Sequence, residues 1–230
     1  MRVAPRVREV LGDVVGELEQ VFADLDTLGG RFADIATAGE PPQRESLAAL
    51  RPTIFGVLAA HRGLVAGAGV ITAPGLLRDA PRWLEWWWTK AAGTPEALRV
   101  NLDPAAPDFF DYTTADWYLT PERTLARQVT GPFVDYACTN EYTITLSVPV
   151  RAGERLLGMA AADVLAASVE QRVLGTLAAF DHPVILASAD GRVIASNSPR
   201  WTPGLRIPPP SEPAEQAPLV SWTLVDAETL

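Results

Sequence analysis

The chain has 230 residues, 48% hydrophobic and 20% charged, with a formal net charge of −9; this is enough apolar content to bury a core, and it excludes an intrinsically disordered chain. The acidic excess argues against nucleic acid and anionic membrane surfaces as partners, because both are bound through Lys and Arg. A single cysteine, Cys138, leaves no internal disulfide, and two distant histidines, His61 and His182, give no metal-ligand spacing.

Residues 7–35 repeat apolar side chains every three or four positions (Val7, Val10, Leu11, Val14, Leu18, Val21, Phe22, Leu25, Leu28, Phe32), the signature of one helical face. Gly29-Gly30 is a place for a bend. At about 1.5 Å per residue the helix is roughly 40 Å long. A helix packed on its own domain would explain the stripe, but its length favours a two-chain interface, and a homodimer is expected. Pro41-Pro42 ends it, and a second helix is predicted over 44–60. No apolar leader follows the basic start, and no run approaches the roughly 18 apolar residues of a membrane span. A cytoplasmic location is the resulting expectation.

The middle of the chain reads as a sheet. Residues 64–72 form a Gly- and Ala-rich strand, Pro74-Gly75 turns it, and residues 82–89 (RWLEWWWT) form an aromatic strand whose tryptophans must project to both faces. One face meets the core; the other is covered by packing or walls a ligand. A short helix is predicted around 112–119. From Tyr142 the apolar residues alternate with period two (Ile144, Leu146, Val148, Val150), break near Gly153 and resume at Leu156, which is an antiparallel hairpin. Its returning strand ends in Asp163, a carboxylate amid Ala and Gly that is costly to bury without a partner. A helix over 164–180 follows, and Asp163 reads either as its N-cap or as a ligand contact. Asp190-Gly191 joins a second hairpin, residues 184–187 and 192–196. Residues 201–218 are Pro-rich, and 219–225 suit a late edge strand. The sum is an α+β chain: a long N-terminal helix, then a PAS-like antiparallel sheet with flanking helices.

These features, in this order, resemble the Cache family of PAS-like ligand-sensing domains: the leading helix, the tryptophan strand, Asp116-Trp117-Tyr118, residues 131–135 (GPFVD), 143–150, Gly158, Asp163 and the closing segment 183–197. The resemblance implies a dimerisation helix in 1–40, a ligand-binding domain in 41–181 and a C-terminal hairpin with a Pro-rich extension in 182–230. It also implies a pocket formed by Tyr112, Trp117, Tyr118, Phe133, Asp135 and Asp163. In amino-acid-binding members an arginine two residues before the Trp grips the ligand carboxylate, and aspartates hold its ammonium. Here that arginine position is Ala115, and Phe133 replaces a tyrosine. Two carboxylates among aromatic faces suit an amine or polyamine, unless Arg78 or Arg82 supplies the missing cation. Asp135 has a plainer alternative, a turn with Asn140. With no nucleotide loop, GxSxG or HExxH motif, the expected function is non-enzymatic sensing of a small molecule, without cofactor, signalling through a partner chain. The other readings are a scaffold that has lost its pocket, and an enzyme using carboxylates such as Asp108 and Asp111.

Overall fold

The computed structural model describes residues 7–89, 93–136, 140–208 and 220–230; Cys138 and most of the Pro-rich stretch lie outside them. The N-terminal stripe forms two collinear segments in sequence, α1 (Val7–Leu11) and α2 (Asp13–Thr37). The break falls at Gly12, whose φ of 45° favours glycine, and not at Gly29-Gly30, which stay helical. Gly29 serves close packing instead: a Cβ there would stand 3.0 Å from Val150 Cγ2 on the sheet beneath. Beyond Pro41-Pro42 come α3 (Arg44–Leu47), a single 3-10 turn and α4 (Arg51–Ala60).

The main sheet contains β1 (Val65–Thr72), β2 (Leu84–Trp88), β3 (Glu96–Ala97), β4 (Gln128–Val134), β5 (Tyr142–Ala152) and β6 (Arg155–Leu165), in the spatial order β3-β2-β1-β6-β5-β4 with antiparallel neighbours. Between β3 and β4 the chain crosses one face through a 3-10 turn at Tyr112–Thr114 and α5 (Asp116–Thr124). Strand β4 was not legible in the sequence because Gly131-Pro132 interrupts it. The sheet tolerates the proline there because β4 is an edge strand and its register shifts between Thr130 and Phe133.

Period-two alternation gives the sheet two unlike faces. Ala68, Val70, Ile144, Leu146, Ala160, Ala162 and Val164 join the stripe of α2 in the main core. Ile71, Trp86, Met159 and Ala161 point the other way, into a smaller cluster with Tyr112 and Tyr118. The aromatic strand divides accordingly. Trp87 packs edge-on against Phe55 of α4 at 4.9 Å, under the Arg51 guanidinium, and its Nε1 donates to buried Glu85. Trp86 belongs to the opposite cluster.

After β6, α6 (Ala166–Leu177) leads to a second sheet of β7 (Val184–Ala187), β8 (Val193–Ser196) and β9 (Thr223–Asp226), ordered β8-β7-β9. The helix is shorter than predicted: Val164 and Leu165 remain in β6, paired with β5. Asn197 joins the two parts, donating to the carbonyls of Leu177 and His182 and accepting from Val184 N.

The homodimer rested on a stripe too long for one sheet to cover. In the structure Val7, Leu18, Val21, Leu25, Leu28 and Phe32 are each fully buried within the one chain, so that reason for a second copy falls away. None of the described helices is long and apolar enough to cross a membrane. Because the stripe is intramolecular core, Leu25→Ala should lower unfolding free energy by about 2–5 kcal/mol in urea melts, whereas Gln20→Ala on the exposed face should change it by less than about 0.5 kcal/mol. Equal, small effects would show that α2 does not pack as described.

Candidate functional site

The cavity lies on the face of the sheet away from α2, and it exists because the central strands carry small residues there. Gly67 and Gly69 of β1 pair with Asp163 and Ala161 of β6, which pair in turn with Thr145 and Ser147 of β5. Large aromatics stand around this low floor. The hollow has a volume of about 40 Å³ and is walled by Ile71, Leu84, Trp86, Leu98, Phe110, Trp117, Phe133 and Ala161, with Asp135, Asp163 and Thr145 as its polar groups.

Asp163 lies within β6 and not at a helix start. The residue capping α6 is Leu165, with no side-chain cap, so the capping alternative is removed. Thr145, directly across on β5, donates its hydroxyl to Asp163 Oδ1 at 2.6 Å. Burial, and secondarily the negative charge of Asp135, push the Asp163 carboxyl up to about 7 against the opposing Thr145 hydrogen bond. Asp135 stands just beyond β4 in a tight turn, its N–H donating to Glu141 O and its carbonyl accepting from Asn140 N, while it also lines the cavity. The turn role and the cavity position thus coexist.

Of the six expected site residues, four line this cavity: Trp117, Phe133, Asp135 and Asp163. Trp117 is seated by α5, whose start is held to β5 where Ser147 Oγ donates to the Trp117 carbonyl at 2.8 Å. Tyr112 and Tyr118 are buried in the aromatic cluster and do not line it. Tyr112 donates to the Thr72 carbonyl, and its rings tilt against Tyr118 at 5.4 Å, so these two support the wall. Thr145 and Phe110 line the cavity without having been singled out, and Trp86 takes the ligand-wall alternative left open for the aromatic strand. Thr143, Thr145 and Ser147 are the polar alternates of β5, and all three are buried because this second face of the sheet is roofed.

Among the described residues no Lys or Arg lines the cavity. Ala115 precedes α5 and faces an outer groove. Arg78 pairs with Glu40, and Arg82 pairs with Asp111 at 3.7 Å over the Phe109 ring; neither replaces the absent arginine. Among the described residues no cluster of His, Cys, Asp and Glu is suited to a metal. Asp108 accepts from Asn101, and Asp111 accepts from Thr113, so both of these carboxylates hold local structure.

No family model matches the chain, and no curated protein sequence does. Solved structures match its fold. Methyl-accepting chemotaxis protein X superposes with a TM-score of 0.63 at 17% identity, over 84% of this chain and 72% of that one. The extracellular domain of the histidine kinase mmHK1S-Z3 gives 0.60 at 15%, over 80% and 65%. The ligand-binding domain of the Campylobacter jejuni chemoreceptor Tlp3 in complex with L-valine gives 0.56 at 16%, over 85% and 72%. The fold is that of a Cache-type, PAS-like sensory domain. The cytoplasmic expectation is corrected by the same comparison, since the kinase domain sharing this fold is an extracellular one. The composition that suggested the cytoplasm, one cysteine and no apolar leader, carries no information about a fold used outside the cell.

A buried carboxyl that keeps its proton to about pH 7 makes stability depend on pH. Below pH 4 folded and unfolded chains both hold the proton. As pH rises the unfolded chain loses it first, so stability falls until the folded group also ionises. Carrying the group from 3.8 to about 7 corresponds to roughly 4 kcal/mol at about 1.4 kcal/mol per pH unit. Wild type should therefore lose stability relative to Asp163→Asn between about pH 4 and 7, with a constant difference above. Parallel profiles from urea melts across that range would contradict the assigned burial.

Proposed function

We propose that this chain is a non-enzymatic sensory domain that binds a small organic cation, an amine, in the cavity floored by β1, β6 and β5. The observation that carries the reading is the composition of the cavity wall: among the described residues it has two carboxylates and a hydroxyl, four aromatic rings and no cationic side chain. An ammonium placed there would relieve the repulsion between Asp135 and Asp163, take charge-assisted hydrogen bonds and meet the aromatic faces. Structures sharing this fold bind L-valine and related amino acids. Ligands of that kind bring a carboxylate, and among the described residues the cavity wall offers no cation to pair with it. The binding part is taken to be residues 41–181, with 182–230 as a C-terminal extension.

Output through a separate regulatory chain is part of the same proposal. Trp117 and Phe133 line the cavity and also an outer groove of about 440 Å³, where Val220 and Trp222 of the C-terminal segment face them. A ligand that shifts these two rings would be felt by the C-terminal sheet, a packed element able to pass the change on.

The ligand binds best to ionised Asp163, so protons compete with it. Calorimetry with ethylammonium, which keeps its charge throughout, should show affinity rising up to about tenfold per pH unit below pH 7 and levelling above it. Ethylammonium should bind more tightly than propionate. Asp163→Asn should weaken it by roughly 1.5–3 kcal/mol and flatten the pH profile. Tighter binding of propionate, or an affinity indifferent to pH, would overturn the cation reading.

A further inference from the structure

We propose that Trp86 is the end wall that sets the greatest ligand length the cavity admits, and that Gly67 is the residue that positions it. The orientation of the ligand rests on the cation reading; the wall itself does not. Across the order β2-β1-β6-β5-β4, the carboxylates belong to β6 and to the turn after β4, whereas Trp86 stands on β2. Neighbouring strands are about 4.8 Å apart, so β2 lies roughly 10 Å from β6. The indole bridges part of that gap. Its Nε1, Cε2 and Cζ2 edge lies over β1, where a Cβ on residue 67 would stand only 2.9–3.2 Å away.

Gly67 pairs directly with Asp163, so the ring edge reaches the strand next to the ionic group. A ligand whose head is held at Asp163 therefore has about one strand spacing for its tail before it meets the indole. The obstacle at residue 67 is a side chain and not the main chain, which makes this position tunable. At Gly69, by contrast, a Cβ would overlap the β2 backbone at the Glu85 carbonyl and Trp86 Cα, so that glycine is required by the fold. A methyl at 67 sits beneath the ring on the cavity face and lifts it into a space of only about 40 Å³.

The test is calorimetry on the full chain with two homologous series, ethyl- to hexylammonium and the matching n-alkanoates. Wild type should favour short members and lose about tenfold or more beyond a cutoff length. Trp86→Phe should move the cutoff to longer chains, and Trp86→Ala further. Gly67→Ala should weaken all members, and Gly67→Ala with Trp86→Phe should recover the short ones. A purely structural role for Gly67 would lower the melting temperature and would not be rescued by the smaller ring. An unchanged cutoff in Trp86→Phe, or wild-type binding in Gly67→Ala, overturns the proposal. If alkanoates bind in place of amines, the cation reading falls while the cutoff still decides the role of Trp86. If neither series binds to wild type, both fall.

Discussion

The burial of one carboxylate in the middle of a sheet governs how the rest of this structure is arranged. Asp163 sits on β6 between β1 and β5, with a glycine on one side and a threonine on the other. The glycine opens space above the sheet, and the threonine supplies one hydrogen bond. A single neutral donor does not replace the water that an ionised carboxylate gives up. With Asp135 also facing the cavity and no cation in the wall among the described residues, the group is held in its protonated form to about pH 7. Among the described residues the wall holds no positive charge to balance the two carboxylates, and this is the observation behind the proposed amine ligand.

Such a site persists only on a scaffold stabilised elsewhere. The opposite face of the same strands supplies that stability: α2 lays its apolar stripe over Ile144, Leu146, Ala160 and Ala162, close enough at Gly29 that a methyl group would crowd Val150. Helix α4 adds a second anchor through Phe55, Trp87 and the Arg51–Glu85 pair. The sheet thus has one face optimised for packing and one whose small floor residues leave a hollow. Sites that depart from close packing and full pairing in this way are where binding function resides.

Much of this was legible in the sequence because the relevant patterns are local. The period-two run from Tyr142 fixed the β5–β6 hairpin, and the stripe from Val7 fixed α2. What the local patterns left open depended on the rest of the fold. The length of the stripe suggested a second copy, but the sheet together with α4 and α6 covers it, which no local pattern reveals. Asp163 read either as an N-cap or as a ligand contact because a helix follows nearby; β6 runs two residues further and takes the carboxylate onto the cavity face. Thr145 was not singled out, because what covers its face of β5 is set by Phe110 and Trp117, more than twenty residues away in sequence. Tyr112 and Tyr118 came with the family pattern, but the 3-10 turn that holds Tyr112 and the helix α5 that holds Tyr118 place both in the support behind the cavity.

The claim that Asp163 keeps a proton until a cation displaces it can be read at the carboxyl itself. Carbon-13 NMR of aspartate side chains, assigned by comparison with Asp163→Asn, should show one resonance titrating near pH 7 in the free protein. Saturating ethylammonium should move that titration down toward the ordinary aspartate range near 4. A resonance that already titrates near 4 in the free protein, or one that ethylammonium leaves in place, would contradict the account.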